Sequence, residues 1–231
     1  MTDFPENWLR SRGRRLSKRR LGTCQTDATR AFSAGYSFRV SLFEPIFEAL
    51  NRAQVRYVVV GGFATVLHGH ARLTADIDLV IDLSPEEVRK ALDTLTGLGF
   101  RPRAPVEALA FADPATRYQW IHEKGMRVFS MWDPANPMRE VDLFVEHPID
   151  FDELWHRSEI INLSHTVARI ASIPDLIRLK RLPEDWEAGW EAHRVHQLTL
   201  AIRATPAQRL AWLEEMIVLA YQVGALPKSR D

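Results

Sequence analysis

The feature that most constrains the fold of this chain is a pair of glycines, Gly61 and Gly62, at the end of a β-branched run. Residues 55–60 read VRYVVV and predict a buried strand, and residues 63–68 read FATVLH and predict a short helix. A strand that passes through glycines into a helix turns backbone N–H groups toward an anion, and glycine lets a bulky phosphate approach the main chain. The segment therefore predicts a strand–turn–helix junction with an anion-binding turn.

Two aspartates, Asp76 and Asp78, open the next apolar run, which reads DIDLVI. Side chains alternate along a strand, so both carboxylates fall on one face, with their Cα atoms roughly 6.5–7 Å apart. Two like charges at one spot are costly unless a cation lies between them, and aspartate is a poor strand former. The spacing therefore predicts ligands for a hard cation such as Mg²⁺, which prefers oxygen and keeps phosphates in its shell.

A third carboxylate, Asp142, lies in the alternating run REVDLFV. A second apolar run before it, with a stretch of turn formers between the two, predicts a β-hairpin over residues 126–146. The hairpin would place Asp142 on a strand beside the two other aspartates. Because the sequence does not set the strand register, Glu140 and Glu146 remain alternative third ligands.

The order of these residues resembles the nucleotidyltransferase superfamily with the DNA polymerase β-like palm. Its pattern is an apolar residue, Gly-Gly, a spacer of about a dozen residues, Asp-x-Asp and a later lone Asp on a strand. The similarity is closest to the bacterial AbiEii-type and related small nucleotidyltransferases, in which a phrase like VRYVVVGGFATVLHGHARLTADIDLVI recurs. It covers roughly residues 41–182, and Gly61 to Ile81 is its specific part.

The resemblance implies an α+β fold, a mixed β-sheet nucleotidyltransferase palm with flanking helices and a helical C-terminal part. It also implies a metal-dependent enzyme that transfers a nucleoside monophosphate from an NTP to an acceptor hydroxyl. Asp76, Asp78 and Asp142 would be the catalytic residues and would hold two Mg²⁺ ions, with Mn²⁺ as a substitute. Catalysis of this kind consists mostly of positioning and of charge neutralisation by the metals.

The nucleotide-binding residues that the resemblance implies are Gly61, Gly62, Arg72, Thr74 and Lys180. The glycines would carry the triphosphate, and Arg72 would neutralise phosphate oxygens. Related toxins continue from the lysine through Gly-Arg or Arg-x-Lys-Asp, whereas here a proline follows closely and ends the helix early.

The acceptor implied by the resemblance is an RNA 3′ end, a protein hydroxyl or a small molecule such as an antibiotic. Among similar proteins, the favoured role is that of a toxin that acts on tRNA and has a cognate antitoxin. The alternative is a catalytically inactive nucleotidyltransferase-like antitoxin or interaction module. A third hypothesis is a nucleic-acid-binding protein that works through its N-terminal segment alone.

The chain divides into three predicted parts. Residues 1–34 read as a flexible basic arm, with seven Lys and Arg side chains and no acid between Arg10 and Arg20. Such an arm could bind the phosphates of RNA or DNA. The alternative is that residues 1–34 are an extension without function. Residues 35–149 form the predicted palm domain, and residues 150–231 form a predicted helical C-terminal region.

Outside the motifs, hydrophobic periodicity and capping signals predict the remaining elements. A capping box at Ser84 predicts a helix through Leu98. The segment between residues 101 and 125 has a less clear pattern and is expected to contain short strands. The predicted elements are helices over 41–53, 84–98, 175–182, 186–202 and 206–223, and short strands over 108–111 and 118–121.

The composition indicates the cellular compartment of the protein more clearly than its function. Lys plus Arg and Asp plus Glu are balanced at 30 each, so net charge neither proposes nor excludes a nucleic-acid partner. Cys24 is the single cysteine, which indicates a reducing compartment. No apolar run approaches the roughly 20 residues of a membrane span, and no secretory signal follows the N-terminal arginines. A cytoplasmic location without a membrane partner is therefore expected.

Overall fold

The structure is a computed structural model that describes residues 42–70, 74, 76–181 and 205–222. Three sequence predictions lie outside these residues, namely the basic arm of residues 1–34, the phosphate-binding role of Arg72 and the helix of residues 186–202.

The strands of the described residues form one seven-stranded mixed sheet in the order β3-β4-β5-β2-β1-β7-β6. The pairs β2/β5 and β1/β7 are parallel and the other neighbours are antiparallel. The mixed sheet with helices is confirmed, whereas its assignment as a nucleotidyltransferase palm stays a prediction. The strands are β1 (Tyr57–Val60), β2 (Asp76–Ile81), β3 (Arg101–Pro102), β4 (Val128–Asp133), β5 (Asn136–Phe144), β6 (Glu159–Asn162) and β7 (Val167–Ile170).

Seven α-helices and one 3₁₀ helix accompany the sheet within the described residues. The α-helices are α1 (Glu44–Arg52), α2 (Gly61–Leu67), α3 (Pro85–Gly97), α4 (Pro114–Lys124), α5 (Phe151–Arg157), α6 (Ile173–Leu179) and α7 (Pro206–Gln222), and the 3₁₀ helix is Ala108–Ala112. The predicted helices around residues 41–53, 84–98, 175–182 and 206–223 are confirmed to within a few residues at each end.

The central strands β1 and β2 are buried along their whole length. Helix α1 buries an apolar stripe, with Ile46, Phe47 and Leu50 fully buried in the core. Phe47 stacks on Tyr57 of β1 and packs against Phe63 of α2. The core therefore fixes the position of the strand–turn–helix junction, because both of its sides contact the same aromatic ring.

The prediction of short strands over 108–111 and 118–121 is wrong. The first segment is the 3₁₀ helix and the second lies inside helix α4. Helix α4 begins where the Asp113 side chain accepts a hydrogen bond from the Thr116 N–H, and it ends at Gly125, which has a left-handed conformation with φ of 61°. Both are standard helix boundary signals, and they outweigh the β propensity of the aromatic residues between them.

The prediction that the chain is helical from residue 150 onward is wrong for residues 159–170. After helix α5, strands β6 and β7 form a hairpin that joins the sheet, where Ile170 pairs with Val59 of β1. The hairpin buries only Ala168 and Ile170 of β7, whereas Ile160 of the edge strand β6 is exposed and Ile161 is half-buried. The two strands are too short for the sequence alone to distinguish them from a helix. The pairing of β7 with β1 stabilises the hairpin in the sheet.

Two smaller predictions about helix ends and faces need correction. Ser84 precedes α3 as predicted but makes no side-chain capping bond, and the Glu87 carboxylate accepts a hydrogen bond from the Arg56 N–H instead. The sequence of α7 predicts an apolar stripe of Leu210, Leu213, Ile217 and Leu219 or Ala220, and only the last part of that stripe is buried. The exposed residues are Leu210, Leu213 and Ile217, and the buried ones are Met216, Leu219 and Ala220.

The ion pair between the buried Asp175 and the exposed Arg157 predicts acid sensitivity. Burial alone would raise the pKa of Asp175, but hydrogen bonds from Arg157 and Ser172 outweigh it and hold the pKa below its ordinary value. A carboxyl with a lowered folded-state pKa stabilises the fold above its unfolded pKa of about 3.9, and this contribution is lost as the pH falls through the folded-state value. We expect Asp175→Asn to lower the free energy of unfolding at pH 7 and the difference from wild type to shrink below about pH 4. Urea denaturation across pH 2–7 measures it, and a difference that does not change with pH would contradict the prediction.

Candidate metal centre

Three aspartates from two neighbouring strands converge at the centre of the sheet. In the parallel pairing of β2 with β5, Asp78 lies directly opposite Asp142, and Asp76 lies two residues earlier on β2. One carboxylate oxygen from each of Asp76, Asp78 and Asp142 lies within 4.8 Å of the other two. The three residues are 3%, 2% and 0% exposed, respectively. The predicted placement of Asp142 beside the Asp-x-Asp pair is confirmed.

The convergence follows from strand periodicity. Residues two apart on a strand share a face, and directly opposite residues on neighbouring strands share a face as well. Asp76, Asp78 and Asp142 therefore all project from the same side of the sheet once β2 and β5 are in this register. A shift of the register by one residue would turn Asp142 to the other side, so the core-facing residues of β5 also hold the cluster together.

The other two candidates for the third carboxylate are engaged with arginines. Glu140 pairs in register with Asp76, but its carboxylate accepts two hydrogen bonds from Arg103, at 2.8 and 3.0 Å. Glu146 accepts a hydrogen bond from Arg127 at 2.5 Å. Of the three acids that the sequence offers, Asp142 is thus the one that joins Asp76 and Asp78.

The pair between Arg103 and Glu140 supports the strand that carries Asp142. Glu140 is 3% exposed, and Arg103 also lies over the Trp132 ring at 5.3 Å. Replacing Arg103 with methionine removes two charge-assisted hydrogen bonds from a buried carboxylate. We expect Arg103→Met to lower the free energy of unfolding by about 2–3 kcal/mol, measured by urea denaturation.

A matched control for that substitution lies two residues earlier, on strand β3. Arg101 is exposed and donates only to backbone carbonyl oxygens, so Arg101→Met should change stability by less than about 0.5 kcal/mol. Equal effects of the two substitutions would show that the carboxylate of Glu140 does not depend on Arg103.

Gly61 contacts the cluster directly. Its φ is +64°, and a Cβ placed on it would lie 1.9 Å from Oδ2 of Asp78. This left-handed conformation and the missing side chain together let the Asp78 carboxylate lie against the start of helix α2. The sequence predicted that the space at Gly61 accommodates a phosphate, whereas in the structure the carboxylate of Asp78 takes up the space where a Cβ would stand.

The remaining predicted nucleotide-binding residues occupy different surroundings. Gly62 is buried in α2, and Thr74 is 5% exposed and donates from its hydroxyl to Oδ1 of Asp76 at 2.9 Å. Lys180 is exposed and follows the last residue of helix α6. Arg72 lies outside the described residues. The structure thus brings Gly61 and Thr74 to the aspartates, and the nucleotide-binding roles of all these residues stay predictions.

One neighbour of the cluster carries no signal in the sequence. Ser130 of β4 lies opposite Asp142 in the antiparallel pairing of β4 with β5. Directly opposite residues share a face of the sheet, so the half-buried Ser130 flanks the carboxylates. The alternation of the hairpin could have identified it only together with the register, which the sequence does not set.

The chemistry of the donor set fits a hard divalent cation. Mg²⁺ binds oxygen at about 2.0–2.1 Å, so two oxygens on opposite sides of one ion are about 4.2 Å apart. One oxygen from each of the three carboxylates already lies within 4.8 Å of the other two, so side-chain rotations that bring these oxygens closer together would let all three bind one ion. Three negative charges in a buried cluster also repel one another unless a cation offsets them. Asp76, Asp78 and Asp142 could therefore hold a metal ion.

No protein-family model and no curated protein matches the sequence. Within the described part of the chain, none of the helices combines the length and the apolar character needed to cross a membrane.

Proposed function

We propose that this chain is a metal-dependent nucleotidyltransferase, which transfers a nucleoside monophosphate from an NTP to an acceptor hydroxyl. The observation that carries the proposal is the convergence of Asp76, Asp78 and Asp142 within 4.8 Å on adjacent parallel strands. The resemblance of the motif from Gly61 to Asp78 to this superfamily supports the same conclusion.

The three aspartates have distinct roles in this proposal. Asp76 and Asp78 hold two Mg²⁺ ions, and Asp142 completes the ligands on the side of the acceptor. The bound ions supply charge neutralisation of the phosphates and activation of the acceptor hydroxyl. The protein contributes a rigid cluster, because both strands are buried and the carboxylates need little reorganisation.

The proposed reaction is an in-line displacement at the α-phosphate. The acceptor oxygen forms a bond to the α-phosphorus, and the bond from that phosphorus to the oxygen that bridges to the β-phosphate breaks. Pyrophosphate leaves with the electron pair, and the hydroxyl proton passes to Asp142 or to water. Arg72 and Lys180 bind phosphate oxygens, and the turn at Gly61 and Gly62 lies beside the triphosphate.

The proposed acceptor is RNA, with a tRNA 3′ end as the favoured case and a role as the toxin of a toxin–antitoxin pair. The seven basic side chains between Arg10 and Arg20 support an RNA acceptor, because Lys and Arg neutralise backbone phosphates. A protein hydroxyl and a small molecule are the other acceptor classes. Incubation of the full chain with labelled NTPs and total cellular RNA or lysate identifies which class becomes labelled.

Isothermal titration tests the proposal before any acceptor is known. Wild-type protein should bind at least one NTP in the presence of Mg²⁺ or Mn²⁺, and Asp76→Ala should lose this binding. Asp93→Ala is the matched control, since Asp93 is an exposed aspartate on α3. Absence of metal-dependent NTP binding in wild type would instead favour the catalytically inactive interaction module.

A further inference from the structure

We infer that Thr74 is a positioning residue for the metal ligand Asp76 and that it acts without contacting the nucleotide. This inference rests on the proposed function, because it assigns a role within the same metal centre. Thr74 is 5% exposed, and its hydroxyl donates to Oδ1 of Asp76 at 2.9 Å. Both partners are buried, so water competes little for the bond.

The hydrogen-bonding capacity of the two groups decides the role. A threonine hydroxyl has one proton to donate, whereas an ionised carboxylate accepts at about four lone-pair positions. A phosphate oxygen accepts and cannot donate, so Thr74 cannot donate to a phosphate and to Asp76 at the same time. The bond to Asp76 leaves most of the carboxylate's capacity for a cation, so positioning is compatible with metal binding, whereas the same bond excludes a simultaneous donation from Thr74 to a phosphate.

A restrained ligand binds metal more tightly than a free one. A hydroxyl bonded to one carboxylate oxygen limits rotation of the carboxylate and keeps the other oxygen directed to one side. Loss of such a supporting hydrogen bond typically weakens metal binding by about 10–100-fold. The hydroxyl of Thr74 bonds directly to a metal ligand, so its effect should be measurable on the metal alone.

The test is a titration of the full chain with Mn²⁺ alone, in which electron paramagnetic resonance measures the concentration of free Mn²⁺. We expect Thr74→Val, which keeps the shape and lacks the hydroxyl, to weaken Mn²⁺ binding by about 10–100-fold. Thr74→Ser keeps the hydroxyl and should stay within about threefold of wild type. Thr74→Ala provides a second variant without the hydroxyl, and circular dichroism selects the variants that retain the fold.

The possible outcomes separate this inference from the proposed function. If the wild type binds Mn²⁺ and Thr74→Val and Thr74→Ala bind it with the same affinity, the positioning role is overturned and the proposed function is not. A loss confined to NTP binding, with Mn²⁺ binding intact, would show that Thr74 contacts the nucleotide, and this too overturns it. A loss in Thr74→Ser together with wild-type affinity in Thr74→Val would assign the effect to packing of the methyl group, which valine keeps and serine lacks, and would also overturn the positioning role. Absence of Mn²⁺ binding in wild type would refute the metal centre itself.

Discussion

Replacing Asp76 or Asp78 with asparagine is expected to reduce nucleotide transfer by at least about a thousandfold while leaving the fold intact. Asparagine has nearly the same size but carries no charge, so it is a poor ligand for Mg²⁺ and does not offset the charge of the ion. Metal ions contribute several kcal/mol of transition-state stabilisation, and a loss of about 4 kcal/mol corresponds to a factor of about 10³ in rate. The measurement is incorporation of labelled nucleotide into the acceptor, with circular dichroism as the check on folding.

Two further variants sharpen this experiment. Asp142→Asn should cause a comparable loss, because Asp142 lies opposite Asp78 in the sheet. Asp93→Asn should transfer nucleotide at the wild-type rate, since the exposed Asp93 on α3 lies outside the cluster. Transfer that survives either Asp76→Asn or Asp78→Asn would defeat the proposed function.

The second large effect is expected at Gly61, where alanine should lower the free energy of unfolding by about 2–5 kcal/mol. The left-handed φ of +64° costs about 1–2 kcal/mol for a residue with a Cβ. The added methyl group would also lie 1.9 Å from Oδ2 of Asp78, and overpacking of this kind costs about 1–3 kcal/mol. Because the carboxylate must move to relieve the contact, Mn²⁺ binding should weaken in the same variant. Urea denaturation and Mn²⁺ titration measure the two effects.

Two other glycines separate the backbone strain from the contact with the carboxylate. Gly125 has a similar φ of +61° with nothing near its Cβ position, so Gly125→Ala should show the strain of about 1–2 kcal/mol without any effect on metal binding. Gly97, in helix α3, also has open space and has no positive φ, and Gly97→Ala should stabilise the protein by up to about 1 kcal/mol. If Gly61→Ala and Gly125→Ala gave the same loss of stability and the same Mn²⁺ affinity, the proximity of Gly61 to Asp78 would affect neither stability nor metal binding.

The centre of the fold could be predicted from the sequence because its signals are local. The β-branched run before Gly61 and the apolar run after Asp76 are both long enough to identify buried strands. Alternation then places Asp76 and Asp78 on one face without any knowledge of the sheet. The neighbouring strand with Asp142 followed from the hairpin pattern, but its register against β2 came only from the structure.

The periphery could not be predicted because its elements depend on distant partners. Strands β6 and β7 are four residues long each, and apolar runs this short do not distinguish a strand from a helix in the sequence; β7 joins the sheet through its pairing with β1. Helix α4 contains aromatic residues that favour strands, yet Asp113 and Gly125 set its ends. The two supporting hydrogen bonds from Arg103 to Glu140 join residues 37 positions apart in the chain, and no local pattern in the sequence indicates such a pair.

The parallel pairing of β2 with β5 also dictates when the metal ligands can meet during synthesis of the chain. Asp78 and Asp142 are separated by 64 positions (142 minus 78), and the intervening residues include the whole β4 strand. Contacts between residues so far apart in the chain form late and slowly, because a long loop must close first. While the β4–β5 hairpin of a nascent polypeptide is still inside the exit tunnel of the ribosome, only Asp76 and Asp78 have emerged, and Asp142 has not. Any chemistry that needs all three begins only after that hairpin has emerged and docked.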